Sequence, residues 1–285
     1  MILIIYDEID LGTLRYIKFL RKHNYSFCAV QLKDLIFKEL TILDRDQDSC
    51  KWSLDNDIKL DFKDISGVYL RALEFKQNSF ANYHIGDREY IQQEWQSYLI
   101  YRMANVKNCV NPISVELISG AIFEVAFLFK IAVHCEFNVP EYIFSTSHKR
   151  IEEVFFQRNK QYIAQTSTII NTDFRPANTV TDNTIGLIEY VKGTPIFVHI
   201  IDNEIFSCIN YKAHKSIIEL APTEKSQCLN FANELNLIVL QIILIETAEQ
   251  EKFLIHASPY PNWNLNHECN LEKIYSCLTK VMISR

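Results

Sequence analysis

The first six residues, Met1 to Tyr6, are apolar without interruption, the pattern of a strand buried on both faces. Over Thr13–Asn24 the pattern changes: Leu14, Ile17, Phe19 and Leu20 stand close to helical spacing and predict a helix. Phe27–Leu32 predicts a second strand and Gly67–Arg71 a later one, while the Asp-rich stretch 45–66 predicts turns and a short hairpin. From Asp87 to Val106, Ile91, Trp95, Tyr98 and Leu99 fall at i, i+4, i+7 and i+8, one face of a long helix. Asn111-Pro112 breaks the chain, and a second long helix is predicted from Ser114 or Glu116 to Cys135, ahead of Val139-Pro140.

The second half alternates in the same way. A strand at Tyr142–Ser145, a helix at Lys149–Asn159 and a strand at Gln161–Thr166 lead into a polar loop over 167–184. Strand-like runs at Gly186–Val191, Pro195–Ile201 and Glu204–Tyr211 are followed by a helix at Pro222–Leu235. A hairpin of Leu237–Glu246 with Lys252–Ala257 and a closing helix over Leu271–Ile283 complete the pattern. This order predicts a mixed α/β fold without internal repeats, divided near Asn111-Pro112.

Composition narrows the function classes. The 285 residues are 48% apolar and 22% charged, enough to bury a sizeable core. With 29 Lys and Arg against 35 Asp and Glu, the formal charge is −6, so a strongly basic nucleic-acid footprint is excluded and no nucleic-acid partner is expected. The longest apolar stretch, Leu237 to Ile245, contains Gln241 and is too short to span a bilayer, so no membrane partner is expected. The 8 cysteines form no Cys-x-x-Cys, and Met1–Tyr6 lacks the basic flank of a secretion signal. Reduced, mostly buried thiols in a cytoplasmic protein are the expectation, with neither disulfides nor a zinc site. Glycine is scarce: the 6 glycines, Gly12, Gly67, Gly86, Gly120, Gly186 and Gly193, cannot be arranged into any phosphate-cradling loop.

Five short motifs stand in a telling order. They are Val68-Tyr69-Leu70-Arg71; the helix with Glu94-Trp95 that leads to Cys109-Val110-Asn111-Pro112; Asn138-Val139-Pro140-Glu141-Tyr142; Glu189-Tyr190-Val191-Lys192-Gly193; and Lys252-Phe253-Leu254-Ile255-His256-Ala257-Ser258-Pro259 with Trp263. Together, and across nearly the whole chain, this resembles the ATP-grasp ligases that mature ribosomally made peptides, the microviridin-type and related maturases. The resemblance implies an ATP-grasp fold with a pre-ATP-grasp domain at 1–110, a central lobe at 111–190 and a C-terminal lobe at 191–285. It also implies a chemistry in which a carboxylate is activated as an acyl phosphate and attacked by an amine or hydroxyl. Lysines and an arginine would neutralise phosphate charge, and carboxylates would hold Mg²⁺.

At the positions where the resemblance expects those groups, other residues stand. The first phosphate lysine falls on Glu124 or Val125 and the second on Gln165; the arginine falls on Phe197, the first metal carboxylate on Ile243, and the closing Glu-x-Asn on His256-Ala257-Ser258. The resemblance therefore implies a degenerate member with no catalytic residues, no metal ligands and no assured cofactor. It would bind a precursor or leader peptide, or scaffold another maturation enzyme, as a homodimer or heterodimer. The alternative is an active ATP-dependent carboxylate–amine or carboxylate–hydroxyl ligase that uses ATP and Mg²⁺, with Lys160 or Lys192 shifted in register. An unrelated α/β binding protein is a third reading.

Each candidate also has a plainer reading. Glu189, with Tyr190 and Val191, can grip adenine, or it can be an edge-strand glutamate beside Lys192. Arg71 and Trp263 can serve a peptide or an interface, although Arg71 is equally an exposed strand-end arginine. His256 and Ser258 can be two side chains on one face of a strand. Phe123, Phe127 and Phe129, with Tyr260, can form a peptide surface or simply core. His199, His214 and His256 lack metal-ligand spacing, and no Gly-x-Ser-x-Gly elbow occurs.

Overall fold

The leading apolar run forms β1 (Ile2–Tyr6), all of it buried, and the polar Asp10 that follows starts α1 (Leu11–Lys22) by accepting from the Gly12 and Thr13 amides. The structure, a computed structural model, describes residues 1–7, 10–37, 40–43, 50–53, 59–72, 80–104, 106, 108–111, 123–157, 160–166, 176–211 and 214–284. The onset of the helix predicted from Ser114 or Glu116, part of the loop over 167–184, and Pro112 lie outside the described residues. Two units share the chain: one comprises 1–121, 262–264 and 268–285, the other 122–261 and 265–267. The closing helix, expected in a lobe at 191–285, thus groups with the first unit, and 122–261 holds together as one unit.

In the first unit, β2 (Phe27–Gln31) is followed by a short α2 (Leu32–Phe37). β3 (Leu40–Leu43) precedes the Asp-rich stretch, whose β4 (Cys50–Ser53) and β5 (Lys59–Asp61) pair antiparallel as the short hairpin expected there; β3 pairs with β4 and makes the sheet three-stranded. Then come β6 (Gly67–Arg71), α3 (Arg88–Ala104) and β7 (Cys109–Val110). The main sheet runs β2-β1-β6-β7, all parallel, the open doubly wound arrangement whose strands read as continuous apolar runs. On one side Leu3, Ile5, Cys28, Val30, Val68 and Leu70 pack with Leu99 and Met103 of α3 and with Trp52 and Leu60 of the small sheet. Trp52 donates through Nε1 to the Tyr98 hydroxyl at 2.8 Å.

The helix Glu268–Ser284 belongs to this unit and reaches deep into it. The Tyr16 and Thr279 hydroxyls lie 2.9 Å apart, and Tyr275 Oη donates to the Gly12 carbonyl at 3.3 Å. Asn108 Nδ2 donates to the Met282 carbonyl at 3.3 Å. A Cβ at Gly67 would strike the Met282 backbone, so only glycine lets helix and β6 approach this closely.

The second unit opens with α4 (Val125–His134), β8 (Tyr142–Phe144), α5 (His148–Gln157), β9 (Tyr162–Gln165) and β10 (Gly186–Glu189). It continues with β11 (Thr194–Ile201), β12 (Glu204–Tyr211), β13 (His214–Ile217), α6 (Pro222–Glu234), β14 (Val239–Glu246) and β15 (Lys252–Ser258). Strands β8-β10-β9 form one antiparallel sheet and β13-β12-β11-β14-β15 another. α5 lays Ile151 against Tyr162 and Leu187 of the smaller sheet, while α4 and α6 cover the larger one. Among the described residues no helix is long and apolar enough to cross a membrane.

Arg71 sits at the end of β6 with its side chain only 3% exposed, and its Nε donates to Asp10 Oδ2 at 2.8 Å. Burial by itself would raise the Asp10 carboxyl pKa; the Arg71 guanidinium and the Thr13 hydrogen bonds outweigh it and hold the group below its ordinary value. Asp10→Ala removes both the helix cap and the counter-charge of a buried cation, and is expected to cost at least ~3 kcal/mol. Asp10→Asn keeps an acceptor for the cap and should lose less. Urea unfolding midpoints of the two variants check the order.

Candidate functional site

Side chains alternate across a strand, so each strand of the larger sheet in the second unit presents two sets of residues. Ile196, Val198, Ile200, Leu240, Ile242, Leu244, Leu254 and Ala257 belong to the core shared with α4 and α6. The opposite set carries the positions singled out from the sequence. Phe197 pairs with Ile243 and Cys208, Ile243 pairs with His256, His199 with Gln241, and Gln241 with Ser258. The register therefore brings Phe197, Ile243, His256 and Ser258 together on one face. A bulge between Ile243 and Leu244 inserts Ile255 and resets the alternation, which keeps Leu254 in the core while His256 stays on the other side.

That face is enclosed. Phe197 and Ile243 are 9% and 8% exposed, and with Cys208 they form an apolar cluster under Leu265. The Cys208 thiol donates to the Leu265 carbonyl at 3.2 Å. Asn266, itself fully buried, places Nδ2 2.9 Å from His199 Nδ1; with the amide as donor, the imidazole accepts there. Lys215 Nζ donates to the Asn266 carbonyl at 3.2 Å, and the Asn266 side chain takes the His267 amide at 2.8 Å. Ser258 Oγ accepts from the Tyr260 amide at 3.1 Å and serves a local turn.

The register also places the cation Lys215 on this face, at the β13 edge, while Phe197, Ile243, His256 and Ser258 themselves bring no charge to it. Burial pushes the His256 pKa down to about 4, so its half-buried imidazole carries no charge at neutral pH. Burial also raises the Cys208 thiol, against the opposing pull of His267 and Lys215, and keeps it protonated. Phe197, Ile243, Cys208, neutral His256, Gln241 and Ser258 supply no carboxylate to hold Mg²⁺, and Lys215 is turned to the Asn266 carbonyl, so these positions do not fit Mg²⁺ and a triphosphate. Among the described residues no cluster of three or more His, Cys, Asp or Glu side chains is placed to hold a metal ion.

The remaining candidates fall elsewhere. Val125 opens α4 fully buried in the core, and Glu124 beside it is exposed. Gln165 is 1% exposed at the end of β9, where its carbonyl accepts from the Ile185 amide at 2.8 Å. Glu189 does not stand on an edge strand, as the plainer reading had it, because β10 lies between β8 and β9. Its carboxylate meets Lys160 Nζ at 2.9 Å and the Glu141 amide at 3.3 Å, and Lys160 also reaches Glu141 Oε1 at 3.3 Å. Hydrogen bonding to Glu189 raises the Lys160 pKa and fixes it as a cation in this network. Tyr190 and Val191 are half-buried, with the Tyr190 amide donating to the Gln161 carbonyl at 2.8 Å. Of the proposed aromatic surface, Phe129 is core whereas Phe127 is 45% exposed.

In the first unit, Arg71 is not an exposed strand-end residue, because Asp10 draws its guanidinium inward. Trp263 is likewise no surface residue: it is 1% exposed, donates through Nε1 to the Tyr69 hydroxyl at 2.9 Å, and packs its Cδ1 where a Cβ on Gly12 would stand. Asp10 and the His199–Asn266 pair escape a reading of the sequence by motif. Asp10 left one signal, its place directly before a helical run; Asn266 left none, because its partner is 67 residues away.

No family model matches the chain, and no curated protein matches it by sequence. Solved structures do match. The macrocyclase MdnC of Microcystis aeruginosa MRC, bound with precursor peptide MdnA, superposes with a TM-score of 0.82 at 14% identity, covering 100% of this chain and 99% of that one. A RiPP-associated ATP-grasp ligase of Chryseobacterium gregarium, in complex with ADP and a leader and core peptide, gives 0.76 at 12% identity over 99% and 96% of the two chains. The D-alanine–D-alanine ligase of Bacillus anthracis, complexed with ATP, gives 0.55 at 13% identity over 99% and 95%. The chain has the ATP-grasp fold.

The enclosed face makes a prediction about acid. The folded-state pKa of His256 lies below its ordinary 6.5, so its contribution is complete above that pH and is lost as pH falls towards about 4. Because the ring is not wholly buried, the effect is at most ~3 kcal/mol. His256→Gln is expected to leave stability near neutral pH within about 1 kcal/mol of the parent and to shrink the loss on acidification. Urea midpoints of both proteins at neutral pH and near pH 4.5 measure it.

Proposed function

We propose that this protein is a peptide-binding subunit in the maturation of a ribosomally synthesised peptide, built on an ATP-grasp fold whose ligase site has been replaced by core. The observation that carries the reading is the apolar cluster of Phe197, Cys208 and Ile243 under Leu265, beside the uncharged His256, on the sheet face where the ligase groups are expected. A working grasp enzyme needs charge at those positions, since developing acyl-phosphate charge is stabilised only by preorganised cations and a metal. Here the same positions are filled with apolar contacts that stabilise the folded chain without ligand.

Support for the peptide comes from the neighbours. The Microcystis aeruginosa protein is described bound with its precursor peptide and the Chryseobacterium gregarium ligase with a leader and core peptide. A chain with their fold can retain peptide recognition when the phosphate chemistry is gone, because the two rest on different side chains. Bond formation would then belong to a partner maturation enzyme, with ATP and Mg²⁺ bound there.

The test is a thermal-shift titration with ATP, ADP and AMP, each with and without Mg²⁺. A site saturated a hundredfold above its Kd stabilises by ~2.7 kcal/mol, which in a chain of this size moves Tm by several degrees. No nucleotide-dependent shift is expected. A rise of that size with Mg²⁺-ATP would overturn the reading in favour of a ligase with a divergent site, in which Glu189 leaves Lys160 to bind adenine.

A further inference from the structure

Among the described residues β2 is the last strand of its sheet, paired on one side only, with β1. The Ile2 amide donates to the Ser26 carbonyl, and Ile2 lies opposite Phe27 in a parallel register. In a parallel pair the residue bonds to the neighbours of its opposite number, so Cys28 and Val30 turn their backbone groups towards β1. Phe27, Ala29 and Gln31 turn theirs outward, to the free edge. These same three side chains are half-buried, whereas Cys28 and Val30 are buried.

Next to that edge, α1 and the strand ends enclose a groove of about 360 Å³ lined by Tyr6, Leu11, Leu14, Ile17, Lys18 and Ala29, with Arg15 and Arg21 at its rim. Leu11, which lines the groove, is 59% exposed and leaves apolar surface open to a ligand. Arg15, Lys18 and Arg21 stand one helical turn apart and form a row of positive charge on a chain whose formal charge is −6. Among the described residues none of the three is in an ion pair with a carboxylate; Arg21 lies over the Phe27 ring at 6.0 Å.

We infer that β2 and α1 form a docking site for an extended acidic peptide, which adds a strand to the β2 edge. Its backbone pairs with the outward groups of Phe27, Ala29 and Gln31. Alternate side chains enter the groove between Leu14, Ile17 and Ala29, and carboxylates meet Arg15, Lys18 and Arg21. A second copy of the chain fits poorly: edge-to-edge pairing of two β2 strands about a two-fold axis would oppose two rows of like charge. The site builds on the peptide-binding reading above and specifies the peptide's chemistry.

The test uses the full chain and a fluorescein-labelled octapeptide alternating Glu and Val, with an alternating Lys and Val peptide as control, read by anisotropy at low and high salt. The Glu–Val peptide is expected to bind, to weaken as salt rises, and to outbind the Lys–Val peptide by roughly tenfold or more. Lys18→Glu with Arg21→Glu, two exposed changes that leave Tm near the parent value, should weaken it roughly tenfold. Ala29→Pro removes one outward N–H while sparing the ladder to β1, and should weaken binding several-fold. Absence of binding at low salt, equal binding of the Lys–Val peptide, or indifference to the charge reversal would overturn the site. Competition by oligothymidylate as strong as by the peptide would assign the row to a nucleic-acid backbone and overturn it as well. The result is separable from the nucleotide titration: a Mg²⁺-ATP shift with intact peptide binding removes the proposed function and leaves this site standing.

Discussion

β11 is enclosed on both of its sides, and the reading of the second unit depends on that. Ile196, Val198 and Ile200 face the α4 and α6 core, while Phe197 and His199 between them are covered by Leu265 and Asn266. An antiparallel sheet ordinarily keeps one face for water, and an enzyme places its charges on such a face. Burying both faces adds apolar contact and removes the dielectric in which carboxylates and lysines would be stable. Of the polar groups that remain there, Asn266 and Gln241 are uncharged and burial holds His256 neutral near neutral pH. A lone charge placed among Phe197, Cys208 and Ile243 would be buried without a partner.

The first unit solves a different problem. Its all-parallel sheet is stabilised by elements from distant parts of the chain: Asp10 caps α1 and holds Arg71, Trp263 lies over Gly12 and bonds to Tyr69, and the helix Glu268–Ser284 meets β6 through Gly67. The Asp10–Arg71 pair, and Trp263 over Gly12, crowd the carboxyl ends of β1 and β6, the switch point where open parallel sheets commonly take ligands. The free backbone groups and the unpaired positive charge of this unit lie instead at β2 and the outer side of α1. A peptide is suited to that pair of features, since it brings both a backbone to extend a sheet and side chains to fill a groove.

The sequence by itself determined most of the elements. Apolar runs such as Ile2–Tyr6 and Val239–Glu246 and the helical spacing of Ile91, Trp95 and Leu99 specify strand or helix locally, and five ordered motifs fixed the architecture. It also determined which residues stand where the resemblance expects ligase groups, because identity at a position needs no coordinates once the motifs are aligned. Only tertiary structure decided what Arg71, Trp263 and Glu189 do. Arg71 and Trp263 read as surface residues until Asp10 and Tyr69 drew them inward, and Glu189 took Lys160 as its partner, not its near neighbour Lys192. Likewise α2, β3 and β13 carry too short a pattern to be read locally. The closure of the sheet face came from Leu265 and Asn266, far from β11 in sequence. Local pattern reports which residues prefer burial, whereas the identity of a buried partner depends on register and chain return, which no local window contains.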